Sequence, residues 1–269
     1  MKEFIIKNQK LIAKSQAKIS INERAFLFGD ALFETIKIHN YKIYDFHLHL
    51  KRIKRALKFL QFSAQISDLE KNSQKLIIKN NIKNGLLRIH ISRGCKSIGY
   101  APDKSCKALI IIETLKNRSL PKIIKLGISD ITTPKINFKS GNAIFYILNK
   151  LEAQKQKVFD LIMLDSEGFV SETSSANIFW IKNKKIYTSC ENSSIILGCM
   201  REKLLNNFDL KITEKRARVD ELKNADEIFL TNSSFLILPV DEFLGKTLDR
   251  KITKKIQNLI NFDLENSCK

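Results

Sequence analysis

Apolar residues in this chain fall into short runs that alternate with helix-period patterns, and none reaches the eighteen or so residues needed to cross a bilayer. Such a chain must bury several small strands against several helices. Runs at Phe4–Ile6, Leu11–Ala13, Leu32–Ile38 and Lys42–Tyr44 predict strands, with His39-Asn40 turning between the last two. From Asp45 to Phe62, the residues Phe46, Leu50, Ile53, Leu57 and Leu60 fall near one helical face, and a second helix is expected over Ile66–Asn80. Strands follow at Gly85–Ser92 and Ala108–Thr114, and the polar Lys116-Asn117-Arg118-Ser119 before Leu120-Pro121 marks a linker.

Beyond the linker, Lys122–Ser129 predicts a strand and Asn142 a cap for a helix over Ala143–Gln156. Further strands are expected at Leu161–Leu164, Asn177–Ile181, Lys185–Thr188 and Glu227–Thr231, with Asp165-Ser166-Glu167-Gly168 turning between the first two. Helices are expected after Gly198 and over Leu248–Ile260. Regular βαβ spacing, a GxGxxG fingerprint and internal repeats are all missing, which argues against a Rossmann domain. The expected class is therefore α+β in two lobes: an N-terminal α/β lobe over residues 1–115, a linker at 116–121 and a C-terminal lobe over 122–269.

Composition narrows the partners. Hydrophobic residues make up 43% and charged residues 28%, enough to build a sizeable core. The formal charge of +19 is spread along nearly every segment, so it favours a small anionic substrate. No basic recognition motif with interleaved aromatics accompanies it, so specific nucleic-acid binding is not expected. A basic module holding nucleic acid through charge alone is the remote alternative, and it leaves the order of the motifs unexplained. Five cysteines without CxxC or Cys/His spacing predict neither a metal site nor a disulfide framework, and they fit a reducing cytoplasm. The N-terminal residues read as a strand and not as a signal peptide, and no membrane association is expected.

The chemistry is signalled by Lys139-Ser140-Gly141-Asn142 and, thirty-three residues after the lysine, by Glu172 in Ser-Glu-Thr-Ser-Ser-Ala-Asn-Ile-Phe-Trp. A partly desolvated amine near positive charge becomes a nucleophile able to form a Schiff base, and a carboxylate can hold a pyridine nitrogen protonated. Among 47 basic residues a lone lysine is most often solvated surface, so its context has to carry the argument.

That context resembles the class IV aminotransferases, the fold-type IV pyridoxal-phosphate family. The matching stretches run in order from Arg24-Ala25-Phe26-Leu27-Phe28-Gly29-Asp30 to Thr231-Asn232-Ser233-Ser234 and cover most of the chain. The resemblance implies pyridoxal 5'-phosphate as cofactor, a two-lobed fold in which each lobe combines a mixed sheet with helices, and a homodimer with the cofactor between the lobes. It implies that Lys139 is the Schiff-base lysine and proton carrier, and that Glu172 faces the pyridine nitrogen. Phosphate would be held by the backbone amides of Cys199 and Met200 at the turn Ile196-Leu197-Gly198-Cys199-Met200-Arg201, by Arg52 and by Ser233, with Ser234 the alternative hydroxyl. Ile196 would pack on the ring face. Glu167 reads as a solvated turn residue.

Strand alternation puts Arg88, His90 and Ser92 on one face, and the resemblance makes Arg88 the partner of a substrate carboxylate. His90 reads as a structural histidine. Within the family, Phe33-Glu34-Thr35, Ser92-Arg93-Gly94 with Gly99-Tyr100, and the Leu164–Trp180 stretch lean toward the lyase reaction, in which 4-amino-4-deoxychorismate yields pyruvate and 4-aminobenzoate for folate synthesis. Two departures weigh against it. Ile98 stands where a familiar form of the lyase has a substrate-binding arginine, and Glu34 stands where that form has a threonine and could repel a dicarboxylate. The alternative reaction is transamination of branched-chain or D-amino acids.

Overall fold

The computed structural model describes residues 3–95, 99–103, 105–117 and 119–268. It falls into two compact units. The first comprises Met1–Arg118, Phe138–Ala143 and Leu264–Lys269, and the second comprises Ser119–Asn137 and Ile144–Asp263. The short segment that carries Lys139 thus groups with the first unit, apart from the residues before and after it.

The first unit contains β1 (Phe4–Lys7), β2 (Lys10–Ala13), α1 (Arg24–Phe28), β3 (Ala31–His39), β4 (Lys42–Ile43), α2 (Phe46–Leu60), α3 (Leu69–Lys79), β5 (Gly85–Ser92) and β6 (Leu109–Leu115). Its strands form one sheet in the order β2-β1-β6-β5-β3-β4, with every ladder antiparallel. One face carries Ile6, Ile36, Ile38, Leu87, Ile89, Ile91 and Ile112, all almost fully buried. Strand alternation puts Phe33, Thr35, Arg88, His90, Ile111 and Glu113 on the opposite, outer face, since Phe33 pairs with His90 and Arg88 with both Thr35 and Glu113.

Helix α2 presents Phe46, His49, Arg52, Ile53, Ala56 and Leu57 as one buried stripe at three- and four-residue spacing. It ends where Gln61 turns left-handed at φ 54° and returns its N–H to Leu57 and Lys58. The hairpin turn lies at Asn40-Tyr41, one residue beyond its expected place, because His39 pairs with Lys42 and the two loop residues take φ of 47° and 62°. A two-residue hairpin needs such positive angles, and Asn accepts them readily.

The second unit contains β7 (Lys125–Thr132), α4 (Ile144–Lys155), β8 (Asp160–Leu164), β9 (Val170–Thr173), β10 (Asn177–Lys182), β11 (Lys185–Ser189), α5 (Cys199–Asn206), β12 (Ile212–Lys215), α6 (Val219–Lys223), β13 (Glu227–Asn232), β14 (Leu236–Pro239), β15 (Glu242–Phe243) and β16 (Lys246–Thr247). Helix α7 (Lys251–Ser267) follows, three residues later than the expected Leu248 start. The sheet runs β12-β11-β10-β9-β8-β7-β15-β16, with β13 and β14 extending from β10. Its β7–β8, β7–β15 and β11–β12 ladders are parallel and the rest antiparallel, so the expected mixing of strand directions is confined to this second sheet.

Trp180, Ile178, Ile228, Leu230, Val170 and Phe243 build the core of this unit. Full burial of each such side chain is worth about 1.5–3 kcal/mol. Phe179 stacks on Phe229 at 4.9 Å, and the Trp180 indole N–H donates to Glu221 at 2.9 Å. Strand β9 breaks the expected direct passage from the 165–168 turn to Asn177. Its Val-Ser-Glu-Thr has no apolar alternation to mark it as a strand, yet all four residues are buried. No helix among the described residues is long and apolar enough to cross a membrane.

Candidate active site

In the first unit, residues 139–141 lie alongside the start of β3. Phe33 N–H donates to the Lys139 carbonyl at 3.0 Å, Gly141 N–H to the Ala31 carbonyl at 2.7 Å, and Leu32 bridges Ser140. Gly141 is required by this closeness, because a Cβ there would meet the Gly29 carbonyl oxygen at 2.9 Å and the Ala31 Cβ at 3.0 Å. The docked segment places the Lys139 amine 5.1 Å from the centroid of the Phe33 ring. Phe33 in turn stacks on His90 at 6.1 Å. The candidate nucleophile therefore adjoins the outer face that also bears Arg88.

Arg24 gives the six-residue spacing from Arg24 to Asp30 a physical reason. Its guanidinium holds Asp30 at 2.7 Å and donates to the carbonyls of Gly99 and Tyr100 at 3.1 and 2.7 Å, while Arg93 also pairs with Asp30. Ile98 lies outside the described residues.

Arg52 is placed differently from Arg88. It reaches from α2 to the sheet's buried face, where Nε and Nη2 hold both oxygens of Glu34 at 2.7 and 2.6 Å, and His49 Nδ1 lies 2.7 Å from the same carboxylate. Burial alone would raise the Glu34 carboxyl, but the charge and hydrogen bonds of Arg52, then of His49, outweigh it and hold the value at about 2. This corrects the expectation that Glu34 repels a substrate. Strand alternation turns it away from the outer face, and a bidentate arginine neutralises it.

Arg88 is one-third exposed, and its closest recorded ionic partner is Glu113 at 4.0 Å, beyond hydrogen-bonding reach. Its Nε is buried without a hydrogen-bond partner among the described residues. Beside it, His90, Ser92, Ile111, Glu113, Lys14 and Phe26 help line an open cavity of about 750 Å³. His90, expected to be structural, has an imidazole that is 46% exposed and 3.9 Å from Glu113.

In the second unit, Glu172 is 3% exposed and meets three donors at 3.0 Å: the Tyr146 hydroxyl, the Asn177 amide and the Ile196 backbone N–H. The hairpin behind it is fixed by buried Asp160, which accepts from the Ser174 hydroxyl at 2.7 Å and from Leu161 N–H at 2.9 Å. Burial above all, and then the charge of Glu172, push the Tyr146 hydroxyl far above its ordinary value, so it remains a donor. Asn177 also donates to the Ile196 carbonyl at 2.8 Å, tying the glutamate to the turn that precedes α5. A Cβ on Gly198 would stand 2.1 Å from Asn177 Oδ1, so this turn closes only over glycine.

Cys199 and Met200 open α5, where backbone N–H groups have no helical acceptor and the helix dipole favours an anion. Their side chains are buried and unavailable to that contact. Ser233 sits in the turn after β13, where Asn232 Oδ1 accepts the N–H groups of Ser234 and Phe235 at 2.8 and 3.0 Å. Thr231, paired in register with Asn177, has a buried hydroxyl without a hydrogen-bond partner among the described residues.

Tyr146, Asn177 and Thr231 escaped the sequence reading. For Tyr146 a signal existed, an aromatic one turn into the helix after Lys139. Asn177 and Thr231 become visible only when β9, β10 and β13 are laid side by side. Within the first unit the geometry brings Lys139 to the face of Arg88 and sets Arg52 on the opposite face. Within the second it brings Glu172 and Ile196 together.

The model of the family described as amino-transferase class IV matches residues 31–243. A D-alanine aminotransferase of Bacillus licheniformis is 26% identical, over 95% of either chain. An aminodeoxychorismate lyase of Bacillus subtilis is 28% identical, over 98% of this chain and 95% of its own. The crystal structure of the Escherichia coli branched-chain amino acid aminotransferase superposes with a TM-score of 0.89 at 24% identity, covering 96% of this chain and 93% of that one, which shows the fold-type IV architecture. With its family model spanning most of the sequence and its fold shared, the chain belongs to the class IV aminotransferases.

Proposed function

We propose that this chain is a pyridoxal-phosphate-dependent lyase that cleaves 4-amino-4-deoxychorismate to pyruvate and 4-aminobenzoate. The observation that carries the reading is the outer face of the first sheet. It offers a 750 Å³ cavity lined by Lys14 and His90, with Arg88 paired in the ladder to the lining Glu113, while the second lining carboxylate, Glu23, is tied to the Ser92 hydroxyl and the Gly94 N–H. A ring bearing two carboxylates suits that volume and charge better than the methyl group of alanine does. Turning Glu34 inward removes one objection to a dicarboxylate, and the likeness to the Bacillus subtilis lyase adds support.

Pyridoxal 5'-phosphate is the cofactor of this family, and the residues of the second unit fit it. Glu172, among three donors, suits the pyridine nitrogen. The first turn of α5, the Thr231 hydroxyl, which has no hydrogen-bond partner among the described residues, and Ser233 offer donors of the kind a phosphate needs, and Ile196 offers an aliphatic surface for a ring. Arg52 is committed through Nε and Nη2 to Glu34 in the first unit and is left out of this set. The chemistry supplied by the group when bound is an electron sink. Lys139 Nζ removes the ring C–H proton and afterwards returns a proton, and Arg88 holds a substrate carboxylate.

Two further properties belong to this reading. Helix α4 exposes Ile144, Phe145, Ile147, Leu148 and Leu151 at 42–52%, an apolar face of the kind a second copy covers in a homodimer. A cytoplasmic location belongs to the same reading, since five cysteines without paired spacing fit a reducing compartment.

Holoenzyme mixed with aminodeoxychorismate is expected to release pyruvate and 4-aminobenzoate in equal amounts. The transaminase reading is favoured by the likeness to the D-alanine aminotransferase. Stable loss of the aldehyde absorption on adding D-alanine or leucine alone would establish it and contradict the lyase.

A further inference from the structure

Glu113 lies at the centre of the outer face and has been assigned no role. It stands directly opposite Arg88 in the β5–β6 ladder. Its carboxylate lies 4.0 Å from Arg88 Nη1, 3.9 Å from His90 Nε2 and 3.5 Å from Lys14 Nζ. These distances lie at or beyond the hydrogen-bond limit, in contrast to the 2.6 and 2.7 Å grip of Arg52 on Glu34. Glu113 thus acts on Arg88 through charge alone and leaves its donors to other acceptors. It is also 20% exposed and lines the cavity, so an anion entering there meets its field.

We propose that Glu113 sets the substrate selectivity of this face, competing with an incoming carboxylate for Arg88 and so fixing how much negative charge the substrate carries away from its reacting amine. The proposal deepens the lyase reading in that it assumes the outer face receives the substrate. Glu3 also pairs with Lys14 at 3.2 Å and Glu23 lines the cavity, but Glu113 is the carboxylate that faces Arg88, and it moderates the attraction of that cation for anions without abolishing it. A neutral side chain neither gains nor loses by its presence. Removing the charge of Glu113 therefore strengthens binding of a carboxylate that reaches Arg88 and leaves a neutral ligand much as before.

The test uses isothermal calorimetry on the pyridoxal-phosphate-loaded enzyme with isophthalate, a ring with two carboxylates, and benzamide, a ring with none. Glu113→Gln is expected to tighten isophthalate by roughly fivefold to tenfold and to change benzamide by less than about twofold. Glu113→Asp keeps the charge and is expected to bind both ligands as the parent does. In an Arg88→Gln background the gain from Glu113→Gln should vanish, because the competition has lost its object. Equal changes for both ligands, weaker isophthalate binding, or a gain that survives Arg88→Gln would overturn the proposal. These binding ratios stand apart from turnover. If they hold while aminodeoxychorismate is not cleaved, the lyase reading fails and the role of Glu113 stands; if cleavage proceeds with unchanged ratios, the reverse follows.

Discussion

Two arginines of the first unit, facing opposite sides of one sheet, have opposite fates. Arg52 is 3% exposed and spends two donors on Glu34, with His49 closing the cluster. Arg88 is one-third exposed, its counterion Glu113 is 4.0 Å away, and one buried donor has no partner among the described residues. Burial demands that a charge be paired within the fold itself, whereas a charge left loosely paired at a cavity can be completed by a ligand. The comparison separates a cation that builds the protein from one that is held ready.

The predictions probe that division, beginning with the amine that adjoins the outer face. Lys139→Ala is expected to lower turnover by on the order of 10⁴-fold with the melting profile preserved, because the proposed role of the residue combines nucleophile and proton carrier; steady-state assays beside thermal melts check it. Arg52→Ala strands a buried carboxylate and should cost about 3–5 kcal/mol in urea denaturation. The same cluster fixes a pH dependence. Glu34 is held at about 2 against an ordinary 4.5, so its stabilisation is fully present above about pH 4.5 and is lost as pH falls toward 2. Arg52→Ala should flatten that acid-side slope in pH-dependent melts.

Smaller effects are expected where a single contact is lost. Tyr146→Phe removes one of three donors to Glu172 and should lower turnover by roughly tenfold while the Lys139 imine absorbance persists. Arg88→Gln should change stability by less than about 1 kcal/mol yet weaken isophthalate binding in calorimetry. A stability loss as large as that of Arg52→Ala would erase the distinction between the two arginines.

Much of the first unit could be read from its residues, because its signals are local. Gly85–Ser92 alternates cleanly and forms β5 over those same residues, and the apolar spacing after Asp45 becomes α2. The second unit hid more. The polar Ser171-Glu172-Thr173 is buried through partners distant in sequence, among them the Ser194 carbonyl for Ser171 and Ile196 for Glu172. Short strands such as Ile212–Lys215 carry no pattern of their own and exist because β11 offers an edge. The same limit applies to the candidate site. Glu172 and the Ile196–Met200 turn stood out as motifs, whereas Tyr146 and Asn177 matter through contacts made across the fold. Glu34 shows the converse, since a charge that reads as a threat to the substrate is disarmed by α2.

The central claim is that Lys139 carries the cofactor. Borohydride reduction of the yellow holoenzyme, followed by proteolysis and mass mapping, tests it directly. A phosphopyridoxyl tag on the peptide containing Lys139 is the predicted result; a tag on any other lysine, or none in protein that retains the cofactor, would contradict it.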